Sequence, residues 1–282
     1  MTYDELLKNA FIKIEKAGLE KSVAKLLLMH YAKVETTKLY ANLNQQVNPK
    51  VLENFNKGLK LYLEKKLPLQ YIIKNQPFFG YDFYVDTNVL IPRYETEELV
   101  EHLIYYIEDK FKNAVKILDL GTGSGCIAIT LDKELKNAIV TATDISEKAL
   151  LVAKRNNQTL NASVRFLLGD LFEPLRGERF DIIVSNPPYI PIGEMIGETV
   201  KHEPEISLYG GADGLYYYQR IIEEAKGYLT ENGLLAFEHA YNTAKQIKEL
   251  ALQHFPNSKV IQHRDLSGRD RITLIEVGEI DV

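Results

Sequence analysis

What the 282-residue chain has little of narrows its chemistry first. A single cysteine, Cys126, excludes an internal disulfide and a cysteine metal cluster, and the six histidines are scattered without an HExxH spacing, so no metal site is expected. No run approaches the ~18 uncharged apolar residues of a membrane span. The opening Met1-Thr2-Tyr3-Asp4-Glu5 lacks the basic-then-apolar pattern of a signal peptide, which points to a cytoplasmic protein with no membrane partner. The net charge of −5 is unevenly spread. Residues 1–88 carry a net +4 without any Arg, and residues 89–282 a net −9. An enzyme that tracks a nucleic-acid backbone presents a basic groove, so nucleic acid is not the expected substrate. The remaining composition, 45% hydrophobic and 26% charged, is that of a soluble globular protein, and the length suggests two domains.

From Thr2 to about Ile73 the apolar residues recur at helical spacing, as in Leu6, Leu7, Ala10, Phe11 and Ile14, then Val23, Leu26, Leu27 and Tyr31. A helical bundle is expected over 1–75. Gly18 ends its first helix, Thr36 or Thr37 caps a short one, and Asn48-Pro49 opens a longer one. The bundle either stabilises its neighbour or grips a macromolecular partner. Between 76 and 90 the pattern becomes aromatic and β-prone around Gly80, which reads as a linking hairpin. The domain expected over 91–282 then begins with Ile91-Pro92-Arg93-Tyr94-Glu95-Thr96-Glu97-Glu98 and a helix striped by Leu99, Leu103 and Ile107. Arg93 is a candidate ligand contact at a sheet edge; the competing reading is a salt bridge to the neighbouring acids.

Val115 to Leu120 reads as a strand that runs into Gly121-Thr122-Gly123-Ser124-Gly125 and a helix, and a second strand ends at Asp144 before another helix. Such alternation means a parallel sheet with crossover helices. The glycine loop lets a cofactor approach the backbone at a helix N-terminus, and Asp144 is placed to accept from a ribose diol. Asp119 two residues before the first Gly, and the absence of a GxGxxG third glycine, favour S-adenosylmethionine over a dinucleotide. A third strand ends near Asp170 and Leu171, with the acid able to accept from the adenine amine and the leucine able to cover its face.

The run Phe180-Asp-Ile-Ile-Val184 stops at Ser185-Asn186-Pro187-Pro188-Tyr189, which reads as a buried parallel strand ending in a rigid turn. The two prolines stiffen Asn186 and Pro187, so the Asn carboxamide and nearby carbonyls form a pair of acceptors beside an aromatic face. A planar NH2 group fits such a pair. The nitrogen of an amide or exocyclic amine is a poor nucleophile, and holding both N–H bonds aligns it and stabilises the charge that develops during attack. The polar stretch 190–214, with His202-Glu203-Pro204 and Gly210-Gly211-Ala212-Asp213-Gly214, reads as a lid. Asp213 is expected to cap a helix from Leu215 to Leu229, with Tyr216, Tyr217 and Tyr218 as packing residues. A strand ending at the candidate site residues Glu238 and His239, a helix from Thr243 to His254, and a closing pair of strands bring the count to seven, one of them antiparallel.

With these residues in view, nearly the whole chain resembles the HemK/PrmC family of release-factor glutamine methyltransferases. Ile91 to Glu97 is similar to that family's IPRPET segment, Asp119 to Gly125 to its cofactor loop and Asn186 to Tyr189 to its substrate loop; His202 to Pro204, Gly210 to Leu215 and Ser267 to Arg271 fit downstream motifs. Tyr94 departs from a usual Pro, and Ala240 from a common Gly. The resemblance implies an α/β fold: a seven-stranded Rossmann-like class I methyltransferase sheet behind an N-terminal helical bundle that helps hold the protein substrate. It implies S-adenosyl-L-methionine as donor, S-adenosyl-L-homocysteine as product, and the glutamine of the Gly-Gly-Gln motif of bacterial class-1 release factors as acceptor. Gly121, Thr122, Gly123, Ser124, Gly125, Asp144, Asp170, Leu171 and Asn186 would line the cofactor. Asn186, Pro187, Pro188, Tyr189 and Arg93 would hold the substrate, with Asn186, Pro187 and Tyr189 catalytic; a monomer is expected. The alternatives are an N6-adenine nucleic-acid methyltransferase, which has to capture an unpaired base, a methyltransferase for a ribosomal-protein glutamine, and a non-catalytic binding module that retains the fold.

Overall fold

The computed structural model describes residues 1–278, so the last four residues of the domain expected over 91–282 lie outside the described residues. The chain forms two compact units, one of residues 1–75 with 196–202 and the other of residues 76–195 with the chain from 203 onward.

The first unit is built on α1 (Tyr3–Lys16), α2 (Ser22–Ala32), α3 (Thr36–Ala41), α4 (Pro49–Lys65) and α5 (Leu69–Ile73). The entry to α1 is a capping box, in which Glu5 N donates to Thr2 Oγ1 at 3.2 Å and Thr2 N donates to Glu5 Oε2 at 2.9 Å. Asn48 caps α4 by accepting from Lys50 N at 2.9 Å, with Pro49 at the first helical position, where its missing N–H is not needed. Neither threonine caps α3: Glu35 holds that position, and the Thr36 hydroxyl points to Met29 Sδ instead. Leu6, Ala10, Ile14, Leu27, Phe55 and Leu59 fill the centre of this unit.

The second unit starts with a two-stranded hairpin, β1 (Gln76–Phe78) and β2 (Tyr81–Phe83), then α6 (Tyr94–Lys110), β3 (Val115–Leu120), α7 (Cys126–Glu134), β4 (Ala138–Asp144), α8 (Glu147–Thr159), β5 (Arg165–Leu168) and β6 (Phe180–Ser185). It continues with α9 (Tyr216–Ala225), β7 (Leu229–Glu238), α10 (Ala244–His254), β8 (Lys259–Arg264) and β9 (Asp270–Glu276). Seven of these strands form one sheet in the order β5-β4-β3-β6-β7-β9-β8, parallel throughout except for β9. Side-chain alternation explains why the central strands are apolar on both faces. Ile117, Ile182 and Val184 pack under α6 and α7, while Leu118, Leu120 and Ile183 pack under α9 and α10.

The hairpin is not a free-standing linker. Phe78 and Phe83 meet edge to face at 5.9 Å inside the core under α6 and α7, which draws residues 76–83 into the second unit. Buried Asn156 of α8 ties the hairpin's exit to the glycine loop, accepting from Tyr84 N at 2.8 Å and donating to Tyr84 O at 3.0 Å and Ser124 O at 2.9 Å. Helix α9 stops at Ala225 rather than Leu229, because Leu229 pairs with Phe180 as the first residue of β7.

His102 of α6 and His263 of β8 stack at 3.9 Å between ring centroids. Burial lowers both imidazoles; for His263, neighbouring His102 lowers it further. The unfolded chain, with histidine near 6.5, therefore binds more protons than the fold in the window just below that value, so this stabilisation is complete above about pH 6.5 and is lost as pH falls. The thermal midpoint of His102→Gln should fall less than that of the unaltered protein between pH 7 and pH 5, as read by circular dichroism melts. Parallel pH curves would show that the stack does not contribute.

Candidate active site

Strand order reverses beside β3, because β4 and β5 lie to one side and β6, β7, β9 and β8 to the other. Open α/β sheets bind ligands outside the carboxyl ends of their strands at such a point. Here a cleft opens between the glycine loop after β3 and the Asn-Pro-Pro turn after β6. Its wall includes Gly121, Gly123, Asp144, Asp170, Leu171, Asn186, Pro187 and Pro188. The structure thus brings together eight of the residues singled out in the sequence. Thr122, Ser124, Gly125, Tyr189 and Arg93 are not part of that wall.

Each of those five has a physical reason. Thr122 turns inward and donates to the fully buried Asp119 carboxylate at 2.7 Å, while burial pushes Asp119 up to about 7. Ser124 is buried beneath the loop. Gly125 is required for packing: a Cβ there would stand 2.9 Å from Ile129 Cδ1 and 3.3 Å from Ala153 Cβ. Gly121 and Gly123 have equally positive φ, and nothing lies within 4 Å of where their Cβ atoms would stand, so their backbone faces open space. Tyr189 is half-buried against the core under α9, and burial raises its hydroxyl to about 12, with Glu238 adding to the rise and Arg271 and Arg93 opposing it. Arg93 Nη2 pairs at 2.5 Å with Glu203, whose side chain is buried and whose other oxygen accepts from Ile91 N at 3.1 Å. Arg93 holds an acid 110 residues away, rather than the acids beside it.

Asp144, at the end of β4, accepts from Gly123 N and from Ser146 N, each at 2.8 Å, and desolvation raises it above the usual carboxylate range. Asp170 is held by two bonds from Arg220 of α9, at 2.8 and 3.2 Å. Arg220 carries no sequence signal that could have found it. Tyr217, expected as packing, lines the cleft, as do Ser146, Ile206 and Asn88. The stretch 190–214 is stitched down rather than loose at its ends. Ile190 bridges Tyr209, Gly210 N donates to Ile190 O at 2.9 Å, and Ile192 N donates to Gly211 O at 2.8 Å. A Cβ on Gly210 would lie 2.4 Å from Pro188 O and one on Gly214 2.3 Å from Tyr189 O, so these glycines let the two segments lie backbone to backbone.

Beside the turn, Asn186 Nδ2 donates to Thr96 Oγ1 at 3.2 Å, and Thr96 Oγ1 donates to Glu238 Oε2 at 2.6 Å. Burial pushes Glu238 up to about 7 despite the Thr96 and Asn186 contacts and nearby Arg271, which lower it. Thr96 stood in the quoted segment before α6 without a role assigned to it; Glu238 was flagged only by its place at a strand end. His239, the other strand-end candidate, is satisfied structurally: its ring nitrogens meet Ala240 O and Thr273 Oγ1, each at 2.9 Å. Among the described residues no group of three or more His, Cys, Asp or Glu is placed to hold a metal ion.

Residues 5–73 match the model of the PrmC N-terminal domain, and residues 96–203 that of the Methyltransferase small domain. The release factor glutamine methyltransferase of Bacillus subtilis (strain 168) is 40% identical over 277 residues, covering 96% of each chain. That of Bacillus anthracis is 37% identical over 279 residues, 97% of this chain and 98% of the relative. Among solved structures, a methyltransferase from Pyrococcus furiosus superposes with a TM-score of 0.54 at 24% identity, covering 72% of this chain and 91% of that one, a likeness of fold.

The contrast within the glycine loop is testable. Gly121→Ala and Gly125→Ala both place a Cβ on a left-handed residue, at about 1–2 kcal/mol, but only Gly125→Ala also overpacks the contact with Ile129 and Ala153. Gly125→Ala should be the less stable by roughly 1–3 kcal/mol, measured from urea midpoints at unchanged m. Equal midpoints would remove the packing role of Gly125.

Proposed function

The chain belongs to the HemK/PrmC family of release factor glutamine methyltransferases, and we propose that it transfers a methyl group from S-adenosyl-L-methionine to the side-chain amide nitrogen (N5) of the glutamine in the Gly-Gly-Gln motif of bacterial class-1 release factors. The observation that carries this reading is that Asn186 and Pro187 share one cleft wall with Gly121, Gly123 and Asp144. An amide-gripping turn and a loop suited to a nucleoside cofactor open on the same space.

The residues present fit that cofactor. Gly121 and Gly123 leave their backbone open to the cleft. The Asp144 carboxylate keeps acceptor capacity for a ribose diol after serving two backbone N–H groups, since a carboxylate has about four lone-pair sites. Leu171 and Tyr217 offer apolar faces, and Asp170 a carboxylate steadied by Arg220, on the side proposed for the base. When bound, S-adenosyl-L-methionine supplies a methyl group activated by its sulfonium.

The protein's own part is alignment. Asn186 Oδ1 and the Pro187 carbonyl accept the two N–H bonds of the substrate amide, turning its nitrogen toward the methyl and tightening as positive charge builds on it. No strong base is needed, and the proton leaves afterwards to solvent. Tyr189, whose hydroxyl burial raises to about 12 from a value already well above neutral, supports the turn by packing. Arg93 acts through Glu203 to hold the segment before α6. The helical unit of residues 1–75 is the part proposed to grip the release factor, with the enzyme acting as a monomer in the cytoplasm.

Mass spectrometry of a bacterial release factor incubated with the protein and S-adenosyl-L-methionine should show one added methyl on the Gly-Gly-Gln peptide. Asn186→Ala should reduce turnover about 100- to 1000-fold while cofactor affinity changes little, the pattern of a lost transition-state contact. Asp144→Asn should instead weaken cofactor binding in calorimetry. Methyl transfer to adenine or to a ribosomal protein alone would keep the chemistry and replace the substrate, and equal losses of turnover and cofactor affinity in Asn186→Ala would remove its proposed role.

A further inference from the structure

A carboxamide has an acceptor at one end and donors at the other, so Asn186 can receive an amide N–H only if its own NH2 is turned away. The Asn-Pro-Pro turn alone does not choose between the two faces. The side chains around it do. Asn186 Nδ2 donates to Thr96 Oγ1 at 3.2 Å, and the Thr96 hydroxyl donates onward to Glu238 Oε2 at 2.6 Å. Thr96 is 2% exposed and Glu238 1%, so bulk water does not compete for these contacts.

An ionised carboxylate only accepts. It therefore claims the Thr96 proton and leaves the Thr96 oxygen as an acceptor, which only the NH2 end of Asn186 can satisfy. The Asn186 amide also lies near enough to the Glu238 carboxylate to favour its ionised form, which suits the NH2 end. The contact with Thr96 selects one face, and Asn186 Oδ1 accepts no hydrogen bond among the described residues. We propose that Thr96 and Glu238 are positioning residues that hold the Asn186 carboxamide with its NH2 inward and its Oδ1 free for the guest, so that the site accepts a primary amide and rejects a group that can only accept. The inference rests on the amide-methylating reading of the cleft.

Protonation of Glu238 undoes the selection. Its O–H can then donate to Thr96, whose proton becomes free to turn to Asn186 Oδ1, and the flipped amide is held equally well. Thr96 and Glu95 of α6, Asn186 and Tyr189 after β6, and Arg271 of β9 face this carboxyl, with Cys126 of α7 near it and the Tyr218 hydroxyl of α9 on its main-chain oxygen. Arg271 favours the ionised form and Glu95 opposes it. Burial sets the change near pH 7, so substrate handling is complete above that value and lost as pH falls through it.

Three variants test the proposal: Thr96→Val, which keeps the shape without the hydroxyl, Thr96→Ser, which keeps the hydroxyl, and Glu238→Gln. The first readout is the side-chain NH2 resonance of Asn186 in nitrogen-resolved NMR of the free protein, assigned by its loss in Asn186→Ala. It should be protected from exchange and titrate near neutral pH in the unaltered protein, and lose protection in Thr96→Val. The second is kcat and KM on a Gly-Gly-Gln peptide. Thr96→Val should lower kcat/KM about tenfold to a hundredfold at unchanged cofactor affinity, Thr96→Ser should recover it to within about threefold, and Glu238→Gln should abolish the acid limb of the profile. Unchanged kcat/KM and NH2 protection in Thr96→Val would overturn the proposal, as would equal losses in Thr96→Val and Thr96→Ser. If the unaltered protein leaves the peptide unmethylated, the substrate reading fails, and the NH2 resonance still decides the orientation.

Discussion

The pairing of β3 with β6 is the constraint on which the site depends. Leu120 and Ser185 are partners at the carboxyl ends of these strands, and Ser185 Oγ donates to Leu120 O at 2.7 Å as both chains leave the sheet. The next residue on one side is Gly121 and on the other Asn186. The glycine loop and the Asn-Pro-Pro turn thus become neighbours through backbone geometry alone. Both strands are buried over most of their length, and a one-residue slip would turn each side chain to the opposite face and break the fitted packing under the helices, so the sheet resists it. Precision at the site is inherited from the sheet.

Two buried carboxyls, Asp119 and Glu238, stand beside that junction, and burial pushes both up to about 7. A core rarely retains such groups without partners. Thr122 donates to the first and Thr96 to the second, so each acid fixes a hydroxyl next to a functional loop. Asp119 steadies the glycine loop from within, and Glu238 acts on Asn186 through Thr96. The acids belong to the end of the sheet that does chemistry, where polar order is worth its desolvation penalty.

What sequence reasoning could see was local. Strand runs, the glycine loop and the Asn-Pro-Pro turn announce themselves by spacing, so the seven-stranded sheet and the residues at its strand ends were legible. Which loop residues face the cleft was not, because Thr122, Ser124 and Gly125 share a motif with Gly121 and Gly123 but turn to Asp119, to the interior and to Ala153. Partners far apart in the chain were invisible as well. Arg93 with Glu203, Asp170 with Arg220 and Thr96 with Glu238 are separated by 110, 50 and 142 residues. Nothing in local composition encodes such pairings; they exist only once the strand order is known.

In the proposed reaction these long-range pairs explain how a weak nucleophile can be served without a strong base. An amide nitrogen gains little from proton abstraction by a side chain, and no histidine lines the cleft wall. It gains from acceptors whose direction is fixed before it arrives, because reorganisation during the reaction is then avoided. Two prolines stiffen the turn, Gly210 and Gly214 let a second segment lie against it, and the Thr96–Glu238 contact holds its one mobile carboxamide. Remove any of these and Asn186 and Pro187 remain present but lose the fixed direction that makes them useful. In the proposed reaction the cleft draws less on the reactivity of any one side chain than on the rigidity with which the sheet and its buried acids aim two acceptors at one nitrogen.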